Sequence, residues 1–417
     1  MRMNKKKIVP KLRFPEFGTS EGWKKYKLRE LADRITKKVG DNKLVTLSIS
    51  AGIGFVSQAE KFSRDISGKQ YCNYIYLKKG EFSYNKGNSK TFPQGCIYEL
   101  KEYDEAAVPN AFISFRFKEN LVPSFYQGYF DSNFHGKQLV RFITSGARSD
   151  GLLNISPTDF FSIVLPTPVK KEEQQKIADC LSSIDDLIDA EIRKLRALEK
   201  YKIGLMQKLF PAEGKTLPEW RFPEFQGCGE WKSKSMGKAC KLFSGGTPDT
   251  SKKEFYGGTI PFVRSAEINK SSTELFITEE GFKNSSAKMV KKGDILIALY
   301  GANSGEVALS KIDGAINQAI LCLRHETNNA FVYHYFTHMK NRIISKYIQG
   351  GQGNLSGQII KSVNLYFPKT EEQQKVADCL SEIDTMITEQ SNRLEQLKTH
   401  KKGLMQGLFP SLEEADE

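Results

Sequence analysis

The 417-residue chain contains no uninterrupted run of about 18 apolar residues, the least that a membrane-spanning helix needs. No membrane span is expected. Its seven cysteines are an odd number without one Cys-x-x-Cys pair, which suits neither a disulfide framework nor a zinc site, and Cys180 and Cys379 read as small core residues. There is no Pro-Pro, so the Asp/Asn-Pro-Pro-aromatic signature of enzymes that methylate adenine amino groups is missing. Gly214-Lys215-Thr216 would need a glycine at 209 to form a phosphate loop, and Leu209 stands there. "FSGG" at 243–246 is too short a pattern for a cofactor loop. His334 and His338 lie four apart with no metalloprotease glutamate between them and read as a surface or core pair. Pro248-Asp249 and Glu267-Ile268-Asn269-Lys270 hold too loose a spacing for a nuclease centre. The basic N-terminus lacks the apolar stretch of a secretory signal, so a cytoplasmic location is expected.

What is present is a repeat. "EEQQKIADCLSSID" at 172–185 returns as "EEQQKVADCLSEID" at 371–384, shifted by 199 positions. In the first copy Ile177, Leu181, Ile184, Ile188, Leu195, Leu198, Leu205 and Leu209 fall at helical three- and four-residue steps. Val376, Leu380, Ile383, Ile387, Leu394, Leu397, Leu404 and Leu408 repeat the stripe. Its polar interruptions are copied as well, Glu191 with Gln390 and Lys202 with Lys401, at core-type heptad positions where such residues fix register and partner. Thr370 followed by Gln373 predicts a capping box that the first copy lacks, and Phe210-Pro211 and Phe409-Pro410 close the two helices. A helix over 171–209 would be about 58 Å long and needs a partner for its stripe. The repeat supplies one, which predicts an intramolecular coiled coil.

A second phrase gives its direction. "LMQKLFP" runs on into "RFPEF" at 221–225, whereas at the termini "LMQGLFP" (404–410) closes the chain and "LRFPEF" (12–17) opens it, with Trp231 and Trp23 at equal distances beyond. Antiparallel helices would bring the two ends together and make a circular arrangement with a pseudo-two-fold axis.

The remaining sequence forms two unlike regions. Runs such as "LVTLSISAGIGFVSQ", "YIYLKKGEFSYNKGNSKTF" and "KKGDILIALYGANSGEVALS" alternate apolar residues with Gly and Asn, which reads as strands and loops of α/β domains. Length allows two or three domains and the repeat selects two. Charge is divided in the same way. The net +13 lies in the unlike regions: residues 1–169 hold 27 Lys and Arg against 16 Asp and Glu, and residues 211–368 hold 20 against 14, while the helices are nearly balanced. A polyanion should meet these regions and another partner the helices. For nucleic-acid contact the polar loops nominate Asn85, Lys86, Asn88, Ser89, Lys90, His135, Lys137, Arg141 and Arg148 in the first region. In the second they nominate Ser244, Thr247, Arg264, Tyr300, Asn303, Ser304, Gln318, Gln349 and Gln352. Lys and Arg suit phosphate or guanine, and Asn and Gln suit adenine. The aromatic group Phe112, Phe115, Phe117, Phe125, Tyr126, Tyr129, Phe130 and Phe134 reads as core rather than as a base-stacking surface.

The twin "EEQQK(I/V)ADCLS.ID" helices ending in "GLMQ.LFP", "SGGTP" with "GGTIPFVR", and "GDILIALYGANSG" followed by "NQAILCL" resemble the specificity subunit of type I restriction-modification systems over essentially the whole chain. The resemblance implies two target recognition domains, 1–167 and 212–367, each reading half of a split DNA site. Conserved spacer helices at 168–211 and 368–410 would serve as ruler and docking surface, followed by an acidic tail, 411–417. It further implies double-stranded DNA, two modification subunits and the restriction subunits as partners. S-adenosylmethionine would belong to the modification subunits, ATP and magnesium to the restriction subunits, and no cofactor or metal to this chain. The first region lacks "GGTP" and would belong to another subclass. Independently of the resemblance, two unlike basic heads held at a fixed separation predict a bipartite asymmetric site, with half-site centres about one helical turn apart. The alternative is a self-contained DNA-modifying or DNA-cleaving enzyme, against which the missing motifs count.

Overall fold

Strands form where aromatic and β-branched residues alternate with small ones. The computed structural model describes residues 8–87, 92–143, 153–301, 303–347 and 355–410. Its contacts fall into two units, Met1–Glu191 with Arg393–Glu417, and Ile192–Asn392.

The first unit is built on a four-stranded antiparallel sheet of β1 (Ala32–Arg34), β2 (Phe82–Asn85), β3 (Cys96–Glu99) and β4 (Ile113–Phe117), in the order β1-β4-β2-β3. Ser83 and Ser114 oppose each other on its central strands, both buried with hydroxyls 2.7 Å apart, so each satisfies the other. Helix α1 (Pro123–Asp131) lays Phe125, Tyr126, Tyr129 and Phe130 into a core with Phe82, Phe115 and Phe117. The aromatic group is therefore core, Phe112 included, with Phe134 half-buried at its margin. A Cβ on Gly128 of α1 would overlap the Phe409 ring, so the helix packs there only as glycine. A hairpin of Leu47–Ser50 and Gly54–Ser57, and a pair of Ile75–Lys78 and Glu105–Val108, complete the strands beside the sheet. A ribbon of Lys24–Lys27 with Val164–Thr167 leads into the long helix α2 (Lys171–Leu209).

The second unit repeats this plan with other residues. Its sheet of β5 (Cys240–Ser244), β6 (Ile295–Ala298), β7 (Val307–Leu309) and β8 (Ile320–His325) is antiparallel in the corresponding order, β5-β8-β6-β7. Helix α3 (Asn329–Tyr347) takes the place of α1: Trp23 meets Phe125 with ring centroids 5.6 Å apart, and Trp231 meets Phe331 at 5.8 Å. The ribbon of Lys232–Ser235 with Asn364–Phe367 leads into α4 (Thr370–Leu408). A second sheet orders Phe276–Ile277, Tyr256–Val263, Gly314–Ile316 and Lys288–Val290, with one parallel pairing, Phe262 beside Ala315.

Each unit takes a part of each long helix. In the first, Lys401 Nζ of α4 lies 2.6 Å from Asp185 of α2, and Arg393 Nε lies 2.8 Å from Glu191. In the second, Lys202 of α2 reaches Asp384 of α4 at 2.5 Å. Contact positions rise along one helix as they fall along the other, so the pairing is antiparallel. Three of the four polar interruptions form ion pairs across the helices: Lys202 and Lys401 each reach an aspartate and Glu191, 6% exposed, takes Arg393, while Gln390 is buried at 5% exposed. Ile177, Leu181, Leu209, Val376, Leu380, Ile383, Leu394 and Leu408 are buried as the stripe predicts, and its other members are half-buried. Met206 and Met405 are also buried, a layer the stripe does not include.

The helix starts and ends are tied to the ribbons in equivalent ways. Arg13 forks onto Glu173 with two 2.8 Å contacts, and Trp23 Nε1 donates to the same carboxylate at 2.9 Å. Arg221 forks onto Glu372 at 2.7 Å twice, joined by Trp231 Nε1 at 3.3 Å. The Trp220 N–H donates to the Lys208 carbonyl at 2.9 Å where the chain is continuous, and the Leu12 N–H donates to the Gly407 carbonyl at 2.8 Å where it is interrupted by the termini. The expected return of the second helix to the start of the chain is observed. The capping box is not: Thr370 is the first residue of α4, and the Gln373 amide turns inward to donate to the Pro368 carbonyl at 3.0 Å. Among the described residues no helix is long and apolar enough to cross a membrane.

Candidate nucleic-acid interface

Antiparallel pairing decides which loops are neighbours. Ser244 at the end of β5 opposes Leu321, and Ala298 at the end of β6 opposes Ile320, so the chain leaves or enters the sheet at one end after Ser244, after Ala298 and before Ile320. These are the loops that hold most of the second region's nominated residues. Thr247 Oγ1 donates to Gln318 Oε1 at 2.6 Å, joining the first loop to the third. The Leu299 N–H donates to the Ala319 carbonyl at 2.8 Å, and Ser304 Oγ to the Leu299 carbonyl at 3.0 Å, joining the second loop to the third and closing it on itself. The two glycines of "SGGTP" permit this packing, since a Cβ on Gly245 would strike the Ile316 carbonyl and one on Gly246 the Ser286 hydroxyl. Thr247, Tyr300 and Gln318 are exposed, and Ser244, Asn303 and Ser304 are half-buried around them.

Arg264 is near the same edge but its fork is occupied. Strand pairing sets Val263 beside Ile316, and the Arg264 guanidinium contacts Glu267 at 3.0 and 3.1 Å and Glu274 at 2.6 Å. Those two carboxylates raise its pKa further above the usual arginine value. Glu267 in turn is held at about 2, because hydrogen bonds from the Arg264 side chain, Thr273 and two backbone N–H groups outweigh the burial that would raise it. Arg264, 39% exposed, thus braces the turn at Ser265–Glu267.

The corresponding end of the first unit carries Asn85, which ends β2 opposite Cys96, and Lys86 after it. Asn85 Oδ1 accepts from the Gly87 N–H at 2.9 Å and so shapes the loop, and the Lys86 carbonyl accepts from the Leu153 N–H at 3.0 Å. His135 is corrected: it is fully buried, with Nε2 3.1 Å from the Gly95 carbonyl and its ring edge-on to Tyr84 and Phe130. Burial keeps the ring neutral and lowers its pKa to about 4, the Gly95 carbonyl opposing. It supports the loop from beneath and presents nothing to a ligand. Lys137 and Arg141 are exposed on the turns that follow, Arg141 lying over Phe142 at 4.8 Å and Lys137 lining a cleft of about 1040 Å³ beside Lys401. Asn88, Ser89, Lys90, Arg148, Gln349 and Gln352 lie outside the described residues.

Sequence reasoning missed the loop after β1. Arg34 opposes Phe115 and the Ile35 N–H bonds to the Ser114 carbonyl, so this loop leaves the sheet at the end where Asn85 stands. It exposes Lys37, Lys38 and Lys43, with Lys37 Nζ 4.2 Å above the Tyr76 ring. Its place relative to the ribbon matches that of "SGGTP" in the second unit, a signal that aligning Trp23 with Trp231 would have exposed. His334 and His338 belong to the α3 packing: His334 is buried with Nε2 3.1 Å from Ser381 Oγ, and His338 stacks on Phe210. No cluster of side chains suited to a metal ion occurs among the described residues.

The model of the type I restriction modification DNA specificity domain matches twice, over residues 20–200 and 229–399. The chain is 29% identical over 195 residues to the type I restriction enzyme MjaIX specificity subunit of Methanocaldococcus jannaschii, covering 44% of this chain and 45% of that one. It is 28% identical over 169 residues to the EcoR124I/EcoR124II specificity subunit of Escherichia coli, covering 38% and 42%. These alignments span less than half of either relative. By fold, a crystal structure of a type I restriction-modification S subunit from M. genitalium superposes with a TM-score of 0.64 at 16% identity, covering 97% of this chain and 99% of that one. With two matched domains taking in most of its length, the chain belongs to the family of type I restriction-modification DNA specificity proteins.

Proposed function

We propose that the chain is the non-catalytic subunit that chooses the DNA sequence for a type I restriction-modification complex. Each unit reads one half of an asymmetric split site through the loops at one end of its sheet. The observation that carries this is the identical strand order of the two sheets with different loops at the same end, a scaffold held constant while its reading surface changes. In the second unit Thr247, Tyr300, Asn303, Ser304 and Gln318 supply hydroxyl, amide and aromatic groups suited to base edges. In the first, Lys37, Lys38 and Lys86 suit phosphates, with Asn85 shaping the loop. Target recognition domains spanning 1–167 and 212–367 are flanked by spacer segments 168–211 and 368–410. The paired helices set the unread gap and dock two modification subunits, which bring S-adenosylmethionine and carry out base flipping and methyl transfer. Restriction subunits join with ATP and magnesium, and the complex works in the cytoplasm.

The test is to co-express the chain with the modification subunit of its locus and map methylated adenines across the genome. A split asymmetric motif with a constant gap is expected. A continuous motif, or an assembled complex that leaves DNA unmethylated, would overturn the reading.

A further inference from the structure

In the second unit a cleft of about 450 Å³ opens at the start of α4, between that helix and the ribbon strand Lys232–Ser235. Lys232, Lys234, Lys238 and Lys369 line it against two acids, Glu230 and Glu326, and the first turn of a 39-residue helix adds its partial positive charge. The four lysines are exposed and none forms an ion pair among the described residues. The first unit keeps only part of this set: offset by the 208 positions that separate the tryptophans, Lys232 corresponds to Lys24 but Lys234 and Lys238 to Tyr26 and Glu30, and Lys369, at the helix offset of 199, corresponds to Lys170.

A second, independent feature is Gln373, which borders the cleft and is 6% exposed. Its Nε2 is committed to the Pro368 carbonyl at 3.0 Å, which fixes the amide so that Oε1 is the remaining group, buried and without a hydrogen-bond donor. The equivalent Gln174 makes the same donation, to Pro168 at 3.2 Å, but its Oε1 accepts the backbone N–H of Val122 at 3.0 Å. Aligning the ring pairs Trp23–Phe125 and Trp231–Phe331 puts Asn328 in the position of Val122, and the Asn328 N–H is turned instead to His325 Nδ1 at 3.1 Å. A backbone N–H satisfies this oxygen in one unit, and none from the described chain does in the other.

We infer that the cleft is a binding site for an acidic peptide segment of a partner protein, its carboxylates on Lys232, Lys234 and Lys369 and one backbone N–H on Gln373 Oε1. A peptide segment carries its carboxylates and its backbone N–H donors side by side, whereas in duplex DNA the phosphates offer charge without a donor and the base N–H groups lie apart from them in the grooves, so the combination favours peptide over duplex DNA. The site does not depend on how the loops read DNA.

The experiment is fluorescence anisotropy of a labelled octaglutamate peptide with the full chain. Saturable binding is expected, weakened about tenfold or more in a Lys232→Ser/Lys234→Ser variant and unchanged in Lys24→Ser, the aligned position of the first unit. A backbone N-methylated peptide of the same charge should bind about fivefold more weakly, through loss of the donated hydrogen bond. Absence of saturable binding would overturn the inference, as would undiminished binding by the double variant or equal affinity for the N-methylated peptide. Displacement by inorganic phosphate or a short DNA duplex at equal charge would show a general anion site and overturn it too.

Discussion

Glu372 is 1% exposed and accepts the Arg221 fork together with the Trp231 indole, so one carboxylate anchors a loop, a ribbon and a helix start. Replacing it by alanine leaves a partly buried guanidinium without its counter-charge, the circumstance in which a broken pair costs about 3–5 kcal/mol. Glu372→Ala should lower the urea midpoint of the second unit accordingly, with Glu372→Gln intermediate because it keeps an acceptor. His135 sets a different dependence. An unfolded histidine protonates as pH falls through 6.5, whereas the buried ring does so only near 4, so over that window the unfolded state holds more protons. The stability that neutral His135 confers is complete above pH 6.5 and is lost as pH falls toward 4. Trp23 is the sole tryptophan of the first unit, so a Trp220→Phe/Trp231→Phe chain reports on that unit alone. Its urea midpoint should drop between pH 7 and 4.5, and adding His135→Gln should flatten that drop. An equal drop in the variant would place the titrating group elsewhere.

The helices were the most legible elements, because a stripe and its defects copied at one spacing leave little freedom in how they pair. Leu181 and Leu380 are buried as expected, and Lys202 and Lys401 find their aspartates across the seam. Loops were legible only as loops. Nothing in the run "NFHGKQ" distinguishes an exposed histidine from one turned beneath Gly95, because that depends on a strand forty residues away in sequence. The partners of Arg264 were not legible either, because Glu267 and Glu274 come together around it only after the turn folds. Thr370 and Gln373 had the spacing of a capping box, but burial of the amide beside Pro368 overrode the local signal. The ruler role assigned to the helices makes its own prediction. Adding one heptad to both α2 and α4 at matched positions keeps the seam in register and lengthens each by about 10 Å. The gap in the methylated motif should then widen by about three base pairs at 3.4 Å each, with both half-sites unchanged. A changed half-site would contradict the assignment.

On the scale of the molecule, the equivalent bonds Trp220 N–H to Lys208 and Leu12 N–H to Gly407 mean that one joint is made twice, once within the chain and once between its ends. A permuted chain should therefore fold. Joining Leu408, the end of α4, to Leu12 through a copy of residues 210–219, and opening the chain within 212–219, should preserve the circular dichroism spectrum and the methylated motif. A shift of the melting midpoint by more than about 4 °C, the scale of 1 kcal/mol in a unit of about 200 residues, would show that the interior joint carries more than connection.

The division of the helices between the units also imposes a schedule on synthesis. Every residue of Ile192–Asn392 has been joined to the chain before Arg393 is added, yet the first unit, although its sheet is made earliest, lacks one of its two helix segments until the last stretch is made. Phe409 and Leu408 belong to that first core, so the earliest sheet to be synthesised waits longest for its closing wall. A chain interrupted shortly after residue 392 would carry a finished second unit and an open first one, with its aromatic core exposed.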